Sequence, residues 1–383
     1  MNFNLSELHQ EVRRSARDVA LHQVAPYCRQ WDEEERFPSE LIPTLAELGF
    51  WGIRVPEAYG GAGLDTLAYA LVVEEFARVD GSLALTLASH NGLGTSHIMT
   101  FGNEAQKAHY LPRLARGEIL GAWALTEPSA GSDAASIKTR AQREGEDWVL
   151  NGNKTFITQG SVGGVCVVLA VTDPDKSAHG ITAFAVDHDT PGFSTSRHLK
   201  KLGCRSSDTV ELNLEQVRIS DSQRIGDIDH GFIDALSILD RGRVSIAAMA
   251  LGLGEGALAE ALNYAKDRVQ FGQPIAQFQS TQWKLADSRA ELDAARMLTW
   301  RAAAMADAGE TYSKQASMAK LYASEAASRV CNKALQILGG YGFTREFPVE
   351  KHLRDAKLCE IGEGTSEIQR HVIARHILSK GKA

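Results

Sequence analysis

Over the first third of the chain, apolar residues recur at helical spacing. Leu5, Leu8, Val12 and Val19 define one stripe, and Leu41, Leu45 and Leu48 a second that Gly49 closes. Leu67, Leu71 and Val79, with Glu74 and Glu75 between them, predict another helix, and 105–116 one more that stops at Gly117. From about 121 to 220 the period changes. Trp148-Val149-Leu150, Asn151-Gly152 and Thr155-Phe156-Ile157-Thr158 read as a β-hairpin turning at Asn-Gly, while 165–172, 181–186 and 210–217 are β-branched runs bounded by Gly, Pro or Asp. Short strands at this spacing predict a barrel or sandwich. After about 231 the pattern is helical again and long, over 232–266, 281–307, 314–338 and 366–378. Four such helices with short connections predict a four-helix bundle. The expected architecture is α+β and multidomain: an all-α domain over 1–120, a β domain over 121–230 and a helical bundle over 231–383.

Composition narrows the chemistry. The 383 residues carry 41 basic against 48 acidic side chains, a formal charge of −7. Without a basic stripe to neutralise phosphates, nucleic acid is not an expected partner. Five cysteines, Cys28, Cys166, Cys204, Cys331 and Cys359, are odd in number and widely spaced, as for buried thiols in a reducing compartment. The first 18 residues lack the apolar segment of a secretory signal. The longest uncharged run, 81–103, is too rich in Ser, Thr, Asn and Gly to cross a bilayer. The expectation is a soluble, cytoplasmic protein with no membrane partner. The 12 histidines do not cluster at metal-ligand spacing, so no metal site is expected. Gly252-Leu253-Gly254-Glu255-Gly256-Ala257 fits a dinucleotide fingerprint, but it follows alanine-rich helix rather than a strand and reads as close helix packing.

Three stretches point to a ligand. Leu125-Thr126-Glu127-Pro128-Ser129-Ala130-Gly131-Ser132-Asp133 follows an apolar strand with small hydroxyls, a rigid Pro and a Gly, a loop able to bring backbone N–H groups to a phosphate or a ring edge. Gln336-Ile337-Leu338-Gly339-Gly340-Tyr341-Gly342-Phe343 ends a helix in a glycine cluster. Ile361-Gly362-Glu363-Gly364-Thr365-Ser366-Glu367 sets a carboxylate between two glycines before a helix. Glycines leave room for a flat ligand, and a helix N-terminus favours an anion. Singly, the three are also an ordinary loop, a C-cap and an N-cap.

Together, on a helix–β–helix chain, they resemble the acyl-CoA dehydrogenase family over nearly the whole length. Thr126-Glu127-Pro128 with Gly131-Ser132-Asp133 is similar to one family signature. Gln336 to Gly340, then Arg354-Asp355-Ala356-Lys357 and Glu363-Gly364-Thr365, are similar to the second. The resemblance implies FAD as cofactor, oxidation of an acyl-CoA to its trans-2-enoyl thioester as in β-oxidation, and electron transfer to an electron-transfer flavoprotein. Glu363 falls on the family's α-proton base, with Glu360 and Glu367 as rival carboxylates. Some relatives carry the base at the position of Gly242, which has no side chain to serve. FAD contacts are implied for Trp123, Leu125, Thr126, Gly131, Ser132, Phe156, Ile157 and Thr158. From a neighbouring subunit they are implied for Arg268, Gln270, Phe271, Phe278, Gln279, Gln336, Ile337, Leu338, Gly339 and Gly340, and on the dinucleotide side for Thr365, Ser366 and Glu367. Ser132, Asp240, Arg243 and Gly364 map to acyl-CoA contacts. The cross-subunit roles imply a homo-oligomer, a tetramer.

Three positions depart from the family pattern: Gly362 where Tyr is common, Phe156 where Trp is frequent and Gln159 where Asn is frequent. Gly362 widens the space beside the acyl chain and leaves chain length open. Two other functions stay in play, an O₂-using relative (an acyl-CoA oxidase or a nitroalkane-oxidase-like enzyme) and a flavin-free helical scaffold.

Overall fold

The computed structural model describes residues 4–379; the ends of the expected domain ranges, 1–3 and 380–383, lie outside the described residues. Seven α-helices come first: α1 (Glu7–Val19), α2 (Cys28–Glu34), α3 (Ile42–Glu47), α4 (Thr66–Ala77), α5 (Gly81–Ser89), α6 (Thr95–Phe101) and α7 (Glu104–Ala115). Eight strands follow: β1 (Gly121–Ala124), β2 (Arg140–Glu144), β3 (Asp147–Thr158), β4 (Val165–Val171), β5 (Ile181–Asp187), β6 (Phe193–His198), β7 (Thr209–Ser220) and β8 (Arg224–Ile225). Then come α8 (Gly231–Asp267), a small ribbon of β9 (Val269–Gln270) and β10 (Gln273–Pro274), α9 (Gln279–Asp307), α10 (Ser313–Leu338), α11 (Val349–Cys359) and α12 (Ser366–Ser379). The expected order of helices, β module and helices is the observed one. α11 is an addition to the four C-terminal helices read from the periodicity.

The strands form one mixed sheet in the order β6-β7-β3-β2-β4-β5-β8, with β1 parallel to β4. The sheet folds on itself, so that Trp148, Leu150 and Val217 from one half share a core with Cys166, Val168 and Phe184 from the other. The expected hairpin at Asn151-Gly152 is corrected. β3 runs straight through that pair, and the tight turn lies one strand earlier, at Gly145 with φ +67°. Asn151 Oδ1 accepts a bond from Gln216 N at 2.8 Å, and a Cβ on Gly152 would collide with Thr139. The dipeptide therefore makes a bulge against β7 rather than a reversal.

The two helical ends bury a common core. Trp31, Phe76 and Leu87 from the first helices pack with Val244, Leu253, Leu292 and Val330 from the last, each such side chain contributing about 1.5–3 kcal/mol on leaving water. α4 is buried on nearly every side, so its two acidic residues need partners. Glu75 takes Arg13 at 2.6 Å and Arg17 at 2.8 Å, and Glu74 takes Arg296 at 2.8 Å. The run 81–103, uncharged in sequence, is the buried α5–α6 segment with a π-turn at His90–Gly94. It lies between the sheet and α8: Trp123 Nε1 donates to His97 Nδ1 at 3.1 Å, and Gln159 Nε2 donates to the Thr86 carbonyl at 3.0 Å. Gly252 and Gly256 sit mid-helix in α8 where a Cβ would strike the backbone of Glu74 and Arg78. Close helix contact accounts for that glycine pattern, as its helical context requires.

Candidate active site

Glu363 occupies the short link between α11 and α12. Its backbone takes a positive φ of 55°, followed by Gly364 at 94°. A non-glycine residue held there stores strain that the surrounding structure must impose. The imposition is visible. Lys320 of α10, fully buried, donates Nζ to the Gly364 carbonyl at 2.6 Å. Gln369 Nε2, one turn into α12, donates to the Gly364 carbonyl at 2.8 Å and the Glu363 carbonyl at 3.2 Å. Thr365 Oγ1 caps α12 by accepting from Ile368 N at 3.3 Å.

So held, the Glu363 side chain reaches α8. A Cβ placed on Gly242 would fall onto its carboxylate; the glycine is the space the acid occupies. Its Oε2 is enclosed and has no hydrogen-bond partner among the described residues. Burial pushes the carboxyl up to about 7, against the opposing pull of Lys320 and Arg243. Burial likewise lowers Lys320 to about 8. The rival carboxylates are engaged elsewhere. Glu360 binds Ser328 and holds Lys357 at 2.7 Å, and Glu367 is exposed. Neighbouring walls are Tyr69, whose hydroxyl donates to the Ala88 carbonyl at 2.7 Å, and Ser245, which donates to the Gly242 carbonyl at 2.9 Å. A Cβ on Gly92 would lie 2.8 Å from the Tyr69 hydroxyl and 3.5 Å from Ser245 Oγ, so all three meet at one point. On α8, Asp240 pairs with Arg243 at 2.5 Å and accepts from Ser313 at 2.9 Å, and burial raises the Asp240 carboxyl. Arg243 Nε is buried without a partner among the described residues.

A second group gathers where β1 leads into its loop. Thr155 N donates to the Thr126 carbonyl at 3.0 Å, joining the 125–132 loop to β3. Beneath it the buried Lys154 donates to Glu127 at 2.9 Å and the Leu125 carbonyl at 3.0 Å, while Glu127 accepts from Lys138 N and Thr139 N. Trp123, Leu125 and Ile157 are core residues, Thr126 and Thr158 are half-buried, and Gly131 and Ser132 stand exposed. Phe156 is 68% exposed with φ +59°, at the register shift between Lys154 and Ile157. Its ring is turned outward on a strained bulge rather than packed as core.

The remaining residues lie at the rim of the helical end. Arg268, Gln270, Ile337, Leu338, Gly339 and Gly340 line an open cavity of about 550 Å³ with Tyr341. Arg268 stacks 5.7 Å from the Tyr341 ring, and Phe271 meets Phe278 edge to face at 6.1 Å. Gln279 opens α9 and Gln336 lies in the last turn of α10. This cavity holds none of the first two groups. Arg354 and Asp355 of the second signature are structural: Arg354 binds Asp32 at 2.8 Å, and Asp355 shares the buried Lys351 with Asp80, each at 2.6 Å. Sequence reasoning missed Lys320, Gln369 and Lys154. Neither lysine carried a signal in sequence: Lys154 follows the polar Asn151-Gly152-Asn153, and Lys320 lies in an ordinary helical run.

A helical N-terminal layer, a middle sheet and a helical C-terminal layer thus surround one sealed carboxylate at Glu363. Models of the acyl-CoA dehydrogenase N-terminal, middle and C-terminal domains match residues 6–118, 122–217 and 229–378. A probable acyl-CoA dehydrogenase of Bacillus subtilis is 47% identical, covering 99% of this chain and 100% of its own. A short-chain-specific acyl-CoA dehydrogenase of Clostridium acetobutylicum is 43% identical over 98% of this chain and 100% of its own. The butyryl-CoA dehydrogenase of Megasphaera elsdenii superposes with a TM-score of 0.97 at 42% identity, covering 99% of this chain and 100% of that one. A chain solved with the electron transferring flavoprotein study of Acidaminococcus fermentans gives the same figures. The chain belongs to the acyl-CoA dehydrogenase family.

Proposed function

We propose that this enzyme is an FAD-dependent dehydrogenase of short or branched acyl-CoA thioesters, with Glu363 taking the α-proton. The observation that carries the reading is the state of Glu363: enclosed, strained, without a partner at Oε2 and raised to about 7. An ordinary carboxylate is a poor base for a carbon acid, and a dry one raised toward neutrality is a better match. Above about pH 7 Oε2 is free to receive the proton; below, it is already protonated. Lys320 and Gln369 fix the loop so that the carboxylate points along α8 toward Gly242. The Glu363 N–H, on a backbone turned to positive φ, is the expected donor to the thioester oxygen. Asp240 and Arg243 fit the polar arm of the thiol carrier, beside Ser132 and Gly364.

The residues present fit FAD: Phe156, Ile157 and Thr158 beside the ring, Trp123 to Ser132 along the ribityl and diphosphate, and Thr365 to Glu367 at a helix N-terminus. When bound, FAD supplies the acceptor for the β-hydride. The rim, with Phe271 95% exposed and Phe343 86% exposed, suits burial against a second copy whose FAD it completes, hence a tetramer. Electrons would pass to an electron-transfer flavoprotein, and five unpaired thiols suit a cytoplasmic setting. Relatives described as short-chain or butyryl enzymes support a short acyl group.

The test is colour. Purified protein should be yellow with FAD, bleach anaerobically with butyryl-CoA and recover slowly in air. Fast recovery in air makes it an oxidase. Protein that stays colourless after incubation with FAD contradicts the reading and leaves the scaffold.

A further inference from the structure

A fully buried lysine lies in β3 two residues before the outward ring of Phe156. Lys154 is sealed from water, as is its acidic partner Glu127. Its Nζ donates to Glu127 Oε1 at 2.9 Å and to the Leu125 carbonyl at 3.0 Å. Both acceptors belong to the 125–132 loop, so one ammonium ties that loop to the strand carrying Phe156, Ile157 and Thr158.

Three segments of chain meet at Glu127. Its backbone exchanges hydrogen bonds with Ala130 in both directions, each at 3.0 Å, closing a turn over Pro128-Ser129. Its carboxylate accepts from Lys138 N at 2.6 Å and Thr139 N at 2.9 Å, just ahead of β2, and from Lys154 in β3. One residue further along β3, Thr155 N donates to the Thr126 carbonyl at 3.0 Å. The loop's tip has no such support. Gly131, Ser132 and Asp133 are exposed, and a Cβ on Gly131 would meet nothing within 4 Å. The tip is therefore placed from below. The same contact sits where β3 changes phase: Lys154 and Thr155 are both buried, Phe156 turns out, and the register shifts between Lys154 and Ile157. Burial draws Lys154 down to about 8 against the pull of Glu127. Burial pushes Glu127 the other way, but Lys154, Thr139 and Lys138 hold its carboxyl below the usual range, so the pair is charged at neutral pH. Such a buried pair adds little net stability over apolar side chains of the same volume, because desolvation offsets the attraction. What it adds is geometry: an ammonium between two fixed acceptors admits one placement of the loop on the strand.

Given the dehydrogenase reading, on which this rests, we infer that Lys154 is a positioning residue for FAD: through Glu127 and the Leu125 carbonyl it clips the 125–132 loop to β3, so that both sides of the cofactor cradle are set before the cofactor arrives. A cradle ordered in advance binds more tightly, because less ordering remains to be done on association.

The experiment dilutes purified holoenzyme and reads the fluorescence of released FAD, giving Kd, in wild type, Lys154→Met and Lys154→Met/Glu127→Gln. Far-ultraviolet circular dichroism of the same samples reports the fold. Lys154→Met strands a buried carboxylate and should lose stability as well as FAD. The double variant removes both charges together and should keep the wild-type dichroism, while its Kd for FAD rises roughly 10–100-fold, the range of one charge-assisted hydrogen bond. A folded double variant with the wild-type Kd would overturn the inference and leave the pair purely structural, while turnover keeps the dehydrogenase reading standing. A wild type that holds no FAD removes both. If the double variant does not fold, hydrogen exchange on wild type decides. As free FAD is lowered through Kd, amides at the 131–133 tip should speed up while those of Thr139 and Thr155 stay protected; loss of protection at Thr139 and Thr155 together with the tip would contradict a clip formed in advance.

Discussion

The pocket around Glu363 and the rim around Arg268 are built on opposite principles. At the pocket, polar atoms are sealed from water and some lack partners among the described residues; Glu363 Oε2 and Arg243 Nε are both of this kind. At the rim, Phe271, Val269 and Tyr341 face solvent around an open cavity. Dryness raises a carboxyl toward neutrality and makes it a base. Exposed aromatics do no such chemistry but suit a surface that another chain covers. A single protomer thus carries a sealed carboxylate and an exposed apolar wall.

Mutations should separate the two. The largest effect is expected from Gly242→Ala, whose methyl would occupy the Glu363 carboxylate. Displacing the base by about an ångström should lower kcat on the order of 10²-fold with flavin still bound; steady-state kinetics and the visible spectrum check both. Next, Lys320→Met removes the bond to the Gly364 carbonyl and a charge that favours ionised Glu363. Its acid limb should move upward from about 7, because losing a nearby cation raises a carboxyl. Gln369 still donates to that carbonyl, so the lost bond should cost about 0.5–1.5 kcal/mol in denaturant unfolding. At the rim, Arg268→Ala should loosen flavin and assembly together, read by the visible-to-ultraviolet absorbance ratio and by light scattering. A fully assembled, fully yellow variant would refute the shared-wall account. The smallest effect belongs to Gly362→Tyr. The nearest atoms to a Cβ there belong to Leu358, at an ordinary 3.6–3.9 Å, so the side chain should be accommodated and change preference among acyl lengths a few-fold rather than abolish turnover.

The periodicity of the chain made its architecture legible because the two ends are helical and the middle is β-branched. Glu363 stood out because two glycines isolate it. Other features were hidden for physical reasons. Asn151-Gly152 has the composition of a turn, but tertiary pairing with Gln216 and Thr139 makes it a bulge. Lys320 reads as an ordinary helix lysine until the fold brings the Gly364 carbonyl to it, 44 residues on in sequence.

The most direct test of the proton-acceptor role is the anaerobic first half-reaction, followed by stopped-flow at the flavin band from pH 5 to 9 in wild type and Glu363→Gln. In wild type the rate should climb with pH through a midpoint near the carboxyl's value of about 7. In Glu363→Gln it should fall by about 10²–10⁴-fold and lose that midpoint, with flavin retained. A Glu363→Gln enzyme that is reduced within a few-fold of wild type and still shows the midpoint would contradict the account and move the base elsewhere.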